Sequence, residues 1–83
     1  MSQTTLFEYS ERANQCYKIL KLLKLKGFAY TKELIGLGIY QYNSRIHELR
    51  HGKYDRFRYI IEACVIDEIR AFKYHGFHVD DEL

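Results

Sequence analysis

Apolar side chains recur at helical spacing between Leu37 and Arg50, where the chain reads LGIYQYNSRIHELR. At about 100° per residue, one side of this segment is apolar and predicts a buried stripe of Ile39, Tyr42, Ile46 and Leu49. The other side is polar and predicts an exposed row of Tyr40, Asn43, Ser44, His47 and His51. The segment therefore predicts an amphipathic helix that ends near Gly52.

The preceding segment predicts a longer helix from Glu11 to Lys26, with Ser10 as its N-cap and Gly27 just past its end. Its apolar arc consists of Ala13, Cys16, Ile19, Leu20 and Leu23. Leu22 and Leu25 fall outside this arc, so another apolar surface must bury them, and we treat them as a candidate protein interface. That surface could come from the chain's own ends, from the second subunit of a homodimer or from a host protein.

A short segment joins these two helices. Phe28-Ala29-Tyr30 predicts an extended connection, and Thr31 predicts the N-cap of a helix over residues 32–37. In that helix Leu34 and Leu37 should point inward. A short helix, a turn at Gly38 and the amphipathic helix together are the sequence form of a helix-turn-helix.

Residues 57–74 are rich in β-branched and aromatic side chains, which is typical of strands. They predict a hairpin with strands over 57–66 and 69–74 and with Asp67-Glu68 at its tip. The apolar spacing also suits a helix, and the tip lacks the Gly or Asn that hairpin turns favour. Both readings therefore stand on the residues alone.

The segments Leu37–Tyr40 and Arg45–Arg50, followed by Gly52, resemble the small winged helix-turn-helix proteins of bacteriophages and prophages. The resemblance covers about residues 16–54. It implies a DNA-binding fold that is mainly α, with three helices and a small β-hairpin as the wing, and it favours the hairpin for residues 57–74. The expected organisation is an N-terminal arm (1–9), the winged helix-turn-helix domain (10–77) and an acidic C-terminal tail (78–83).

A chain of 83 residues accommodates one domain. It contains no apolar run long enough to cross a membrane and no secretory signal pattern, so we expect a cytoplasmic protein, in the bacterial host if phage-encoded. Cys16 and Cys64 are far apart in sequence and form no CxxC pattern. We expect both to be free thiols in a reducing compartment.

The net charge of +2 conceals an uneven distribution. Residues 12–58 contain eleven basic and three acidic side chains, a net charge of +8, whereas the first eleven residues carry −2 and residues 59–83 carry −4. A basic centre between acidic ends favours a polyanion partner over a merely solvated lysine-rich surface. Duplex DNA is the partner that this charge and the helix-turn-helix pattern jointly predict.

Two sets of side chains are predicted to contact DNA, one at the bases and one at the phosphates. The major groove admits one α-helix, whose N-terminal half reaches the base edges. The predicted base-reading residues are Tyr40, Asn43, Ser44 and His47. The predicted phosphate contacts, which position the protein without reading sequence, are Lys32, Gln41, Arg45, Arg50, Lys53, Arg56 and Arg58.

Metal binding and catalysis have less support in the sequence. His47 and His51 are spaced i, i+4, and His75 and His78 form a second pair. No Cys or carboxylate completes a zinc spacing with them, so we expect no metal site. No nucleophile motif or phosphate loop is present, so we expect no catalytic residues and no cofactor. One further reading is stacking on single-stranded bases by Tyr40, Tyr42, Tyr54, Tyr59 and Tyr74.

The sequence thus predicts a small DNA-binding protein of the phage or prophage type, acting as a transcriptional regulator or a recombination accessory factor. The alternative is a protein-binding module on the same scaffold, such as a phage-encoded inhibitor of a host enzyme or defence complex. The acidic ends, the tyrosines and the two uncovered leucines motivate this alternative.

Overall fold

The computed structural model describes the backbone from Ser2 to Val79 and the side chains of residues 11–78. The described chain forms three helices and one antiparallel sheet of three strands, in a small α+β domain. Their order is α1 (Ser2–Lys26), β1 (Phe28–Tyr30), α2 (Thr31–Gly36), α3 (Tyr42–Arg50), β2 (Phe57–Ile66) and β3 (Ile69–Val79). Residues 80–83 of the predicted acidic tail lie outside the described residues.

Helix α1 begins at Ser2, so the predicted start at Glu11 is wrong. The segment expected to be an N-terminal arm continues the same helix, because no glycine or proline interrupts residues 2–26. Ser10 consequently lies inside the helix and does not cap it. The predicted end is confirmed, since the Gly27 N–H donates to the Leu23 carbonyl (2.7 Å) and closes the last turn.

A Schellman motif joins α2 to α3. The Gly38 N–H donates to the Ile35 carbonyl (2.9 Å), and the Ile39 N–H donates to the Leu34 carbonyl (3.0 Å). Gly38 has φ +84°, a left-handed conformation that glycine adopts without a steric penalty. The buried Leu34 and Ile39 side chains flank this turn and belong to the same core cluster. The predicted turn at Gly38 is therefore confirmed, and its geometry sets where α3 begins.

The N-terminus of α2 differs from the prediction in its capping contact. The Tyr30 N–H donates to the Glu33 carboxylate (2.9 Å), while the Thr31 hydroxyl donates to the Arg70 carbonyl (3.4 Å) rather than to its own helix. The Lys26 ammonium also donates to Glu33, and these two hydrogen bonds lower the pKa of that carboxyl group. At the other end of α2, Leu37 is 45% exposed, so its predicted inward orientation is wrong.

Helix α3 buries the predicted apolar stripe. Ile39, Ile46 and Leu49 are at most 1% exposed, and the partly buried Tyr42 ring packs 6.0 Å from the Phe72 ring. The regular helix begins at Tyr42, later than predicted, since the residues between Ile39 and Tyr42 form a turn.

The C-terminal part of the described chain is a hairpin, and the helical alternative is wrong. Asp67 (φ 54°) and Glu68 (φ 65°) form a two-residue tip in which both residues are left-handed, as a type I′ turn requires. The turn forms here without Asn or Gly. The long strand pairing on both sides, from Ile66↔Ile69 to Phe57↔Val79, offsets the cost of the two left-handed residues.

Strand β3 is five residues longer than predicted, and it contains a bulge. Ile60 pairs with Gly76 and Ile61 pairs with Tyr74, so His75 is the extra residue between them. Gly76 adopts φ +117° at this irregularity. The extra residue shifts the alternation along β3 and returns Phe77 to the side of the sheet that carries Tyr59, with the two rings 5.9 Å apart.

The sheet has the order β1-β3-β2, and one core cluster joins it to all three helices. α1 supplies Cys16, Ile19, Leu20 and Leu23, and the strands supply Ala29, Tyr59, Ile61 and Phe72. Leu22 is partly buried against the edge of this cluster, so the domain's own core covers this side chain. Leu25 remains 78% exposed.

Both cysteines are free, as predicted. Cys16 is 1% exposed in the core, where its thiol donates to the Glu48 carboxylate (3.6 Å). Burial, followed by the negative charge of Glu48, raises the pKa of this thiol from 9.0 to about 12. Cys64 is partly exposed on the sheet. The two thiols should therefore differ in reactivity.

The Schellman turn predicts opposite effects for two neighbouring glycines. Gly38→Ala should destabilise the fold by about 1–2 kcal/mol, because an L-residue is strained in the left-handed conformation. Gly36→Ala is the matched control and should stabilise it by about 0.5 kcal/mol, since Gly36 is helical and a Cβ there meets no atom within 4 Å. Urea unfolding measures both. A Gly38→Ala variant as stable as Gly36→Ala would contradict the turn geometry.

The two thiols can be distinguished by alkylation. Iodoacetamide at pH 8.5 should modify Cys64 and spare Cys16, while both should react in 6 M guanidinium chloride. Because the folded state raises the pKa of Cys16, its neutral thiol contributes stability below pH 9.0, and this contribution falls as the pH rises toward about 12. Mass spectrometry of tryptic peptides reads the labelling. Rapid modification of Cys16 in the folded protein would contradict its burial.

Candidate nucleic-acid interface

The outer face of α3 presents a row of polar side chains to solvent. Asn43, Ser44, His47 and His51 are all exposed, and the His47 and His51 rings lie 4.2 Å apart. Tyr40 is 73% exposed in the turn that precedes the helix. The structure thus brings Asn43, Ser44 and His47 to one face of α3 and leaves Tyr40 exposed in the preceding turn. We call these four residues the reading face.

A shallow depression of about 590 Å³ borders the reading face on one side. Asn43, Ser44 and His47 form one wall of it, and Arg12 of α1 and Lys53 beyond α3 are among the other lining residues. Gln41, a predicted phosphate contact, also lines this depression. Its backbone carbonyl accepts hydrogen bonds from the Ser44 and Arg45 N–H groups. This depression brings cationic side chains from two separate segments beside the polar face of α3.

A second depression, of about 370 Å³, borders the reading face on the hairpin side. Asn43 lines this depression as well, together with Arg50, Thr31 and Arg70. The hydrogen bond from the Thr31 hydroxyl to the Arg70 carbonyl holds β3 against the start of α2. Asn43 is therefore shared by two depressions, with Arg12 lining the first and Arg70 the second.

Arg45 was predicted to contact phosphate, and its position argues against that role. Its side chain is buried, with 6% exposure, and its guanidinium pairs with the Glu48 carboxylate at 3.2 Å. The Nε atom has no hydrogen-bond partner. Helical spacing placed Arg45 on the flank of α3, but α3 packs close to α1, so this flank is covered.

Arg50 has a structural contact that the sequence did not predict. Its Nε–H donates to the Ile61 carbonyl (2.9 Å), which ties the end of α3 to β2. The side chain is half-buried and still lines the depression on the hairpin side. Arg50 thus fixes the angle between α3 and the hairpin in addition to contributing positive charge.

The remaining predicted phosphate contacts are distributed more widely. Lys32 is exposed in the first turn of α2, with its ammonium 5.7 Å from the centre of the Tyr30 ring. Arg56 and Arg58 lie at the start of the hairpin and line neither depression. Since the ten-residue β2 is roughly 33 Å long, these two arginines are at the opposite end of the hairpin from Arg70.

The tyrosines do not form an exposed stacking surface. Tyr59 is only 4% exposed and donates to the Asp55 carboxylate (2.6 Å). Tyr42, Tyr54 and Tyr74 are half-buried against the core. Of the five tyrosines considered for stacking on bases, Tyr40 alone is exposed, so that reading of the sequence is wrong.

Three residues that line the two depressions were not among the predicted site residues: Arg12, Thr31 and Arg70. Arg12 contributed to the central charge, but nothing in its local pattern placed it beside α3. Arg70 and Thr31 are 39 positions apart, and they meet because β1 pairs with β3 through Tyr30↔Ala71. Only the strand order, which is a tertiary property, brings them together.

Other kinds of site are not visible in the described part of the chain. Its His, Cys, Asp and Glu side chains form no group of three or more that could hold a metal ion. None of the helices described between Ser2 and Val79 is long and apolar enough to cross a membrane. No known family, curated protein or solved structure matches this chain.

The Arg45–Glu48 pair predicts an unequal response to removal of two carboxylates. Glu48→Ala should destabilise the fold by about 2–4 kcal/mol, because it leaves a buried guanidinium without a counter-charge. Glu62→Ala is the matched control, since Glu62 pairs with His75 at the surface (2.8 Å) and such pairs contribute about 0–1 kcal/mol. Thermal unfolding compares them. Equal losses would show that the Arg45–Glu48 pair does not act as a buried one.

Proposed function

We propose that this chain is a winged helix-turn-helix protein that binds duplex DNA, with α3 in the major groove and the β2–β3 hairpin as the wing. The order of elements supports this assignment: helix, strand, two helices joined by a tight turn, then a hairpin whose second strand pairs with the first strand. The resemblance of residues 37–50 to phage and prophage proteins of this class points the same way.

One observation carries the proposal. The polar reading face lies between two depressions, one lined by Arg12 and Lys53 and the other by Arg50 and Arg70. A helix in the major groove has a phosphate backbone on each side, so cations are needed on both flanks. α1, the segment after α3 and β3 supply these cations independently, which suits a duplex better than a single strand.

The reading face has the chemistry for base contacts. The groove of B-DNA is about 12 Å wide and accepts an α-helix, so exposed side chains near the start of α3 can reach base edges. The Asn43 amide can donate to and accept from adenine in a bidentate pair. Ser44 and His47 offer further donors and acceptors next to it. We therefore propose Asn43 as the main reader of sequence.

The hairpin contacts DNA along its side and not at its tip. Asp67 and Glu68 place two carboxylates at the tip, which phosphates repel. Arg70 lies just beyond the tip and lines the depression next to Asn43. In this arrangement Arg70 is the phosphate contact of the wing. Arg56 and Arg58 contact the DNA phosphate backbone only where the duplex extends past α3.

The cellular role that fits a small protein of this kind is a transcriptional regulator or a recombination accessory factor of the phage or prophage type. Both roles need a compact reader of a short DNA site. The resemblance of the helix-turn-helix segment supports this role.

Variants on the two parts of the interface should behave differently in fluorescence anisotropy with a selected DNA site and with random duplex. Asn43→Ala should weaken the selected site by about 1–3 kcal/mol and leave random duplex nearly unchanged. Arg12→Ala and Arg70→Ala should weaken both DNAs and lower the slope of log affinity against log salt by about 0.9 each. These differences follow because amides read bases and arginines neutralise phosphates.

Lys18→Ala is the matched control, because it removes one exposed positive charge from α1 at a position that lines neither depression. It should change the salt slope by much less than Arg12→Ala does. The proposal fails if the protein does not bind any duplex at low salt. It also fails if Arg12→Ala and Lys18→Ala are indistinguishable.

A further inference from the structure

A groove of about 510 Å³ lies between α1 and the segment that leads into β2, and it shares no lining residue with the depressions beside α3. Its apolar surface comes from Tyr17, Leu20, Leu25 and Tyr54. Tyr17 is 51% exposed and Leu25 is 78% exposed. We call this groove, which lies along α1, the α1 groove. The proposed DNA contact leaves this apolar surface unused.

The α1 groove is bordered by positive charge. The Lys21 ammonium lies 5.9 Å from the centre of the Tyr17 ring, and the Lys24 ammonium lies 5.7 Å from the centre of the Tyr59 ring. These rings hold the two ammonium groups near the groove and leave their charge unneutralised.

Asp55 is the one carboxylate among the described residues that line the α1 groove, and it already accepts hydrogen bonds. Asp55 accepts a hydrogen bond from the Tyr59 hydroxyl at 2.6 Å and another from the Phe57 N–H at 3.3 Å. Burial and this bond to Asp55 raise the pKa of Tyr59 above its ordinary value, so the hydroxyl stays protonated as a donor. An occupant of the groove therefore meets two ammonium groups and one hydrogen-bonded carboxylate above an apolar floor, an excess of one positive charge among the described lining residues.

We propose that the α1 groove binds an acidic amphipathic helix of a partner protein. Apolar side chains of that helix pack on Tyr17 and Leu25, and its flanking carboxylates pair with Lys21 and Lys24. From Tyr17 to Leu25 the groove follows about 12 Å of α1, enough for two turns of a partner helix. This inference concerns a second surface and does not depend on the proposed DNA contact.

Two other occupants fit this surface less well. A nucleic-acid backbone has no apolar side chains to cover Tyr17 and Leu25. A second copy of this chain, docked through the same groove about a two-fold axis, would bring the Lys21 and Lys24 side chains of both copies together, and such like-charge contact is unfavourable. An acidic helix satisfies both the apolar floor and the positive border.

Selection of random twelve-residue peptides displayed on phage, with the immobilised full-length protein as target, tests this proposal. Enriched peptides should combine Asp or Glu with Leu, Phe or Trp. Synthetic versions should bind the Leu25→Ala and Lys24→Ala variants about tenfold more weakly. Lys18→Ala is the matched control, because Lys18 is an exposed lysine of α1 that does not line the groove, and this variant should bind within about twofold of the parent. Circular dichroism verifies that each variant is folded.

Each of five results would overturn the proposal. The first is no peptide enriched above the bare support. The second is enriched peptides without acidic residues. The third is equal binding by the Lys24→Ala and Lys18→Ala variants. The fourth is displacement of the peptides by duplex DNA. The fifth, measured by sedimentation velocity, is a dimer of the free protein that Leu25→Ala dissociates, which would assign the groove to a second copy.

Discussion

The turn at Gly38 is the constraint on which the interface depends. Its left-handed backbone closes two hydrogen bonds at the end of α2 and brings Leu34 and Ile39 together in the core. Once this turn is fixed, α3 can bury Ile46 and Leu49 in one orientation only. The same orientation exposes Asn43 and His47. Stability and the proposed DNA contact are therefore set by one local feature.

The fold divides the basic centre of the sequence between different surfaces. Arg12, Lys53 and Arg70 lie beside α3, whereas Lys21 and Lys24 border the α1 groove. The buried guanidinium of Arg45 is paired with the Glu48 carboxylate. A net charge read from the sequence thus overstates the charge available to a single polyanion. The division allows one small domain to have two proposed partners, a duplex beside α3 and an acidic helix on α1.

Local patterns predicted the features that depend on nearby residues. The apolar stripe of α3, the turn at Gly38 and the end of α1 at Gly27 are all of this kind, whereas the residues alone left the hairpin and a helix open over 57–74. The errors have physical causes. No glycine or proline interrupts residues 2–26, so α1 extends to Ser2, and the bulge at His75 breaks the alternation in the second half of β3. Arg70 could not be placed beside Asn43 without the pairing of β1 with β3, which no local pattern encodes.

Chemical-shift mapping of the labelled protein by NMR tests the central claim most directly. Titration with a short duplex should shift the amide resonances of Asn43, Ser44 and His47 together with those of Arg12 and Arg70. The resonances of Tyr17 and Leu25 should stay unchanged. The opposite pattern, with shifts confined to the α1 groove or spread evenly over all lysines, would contradict the placement of α3 in the major groove.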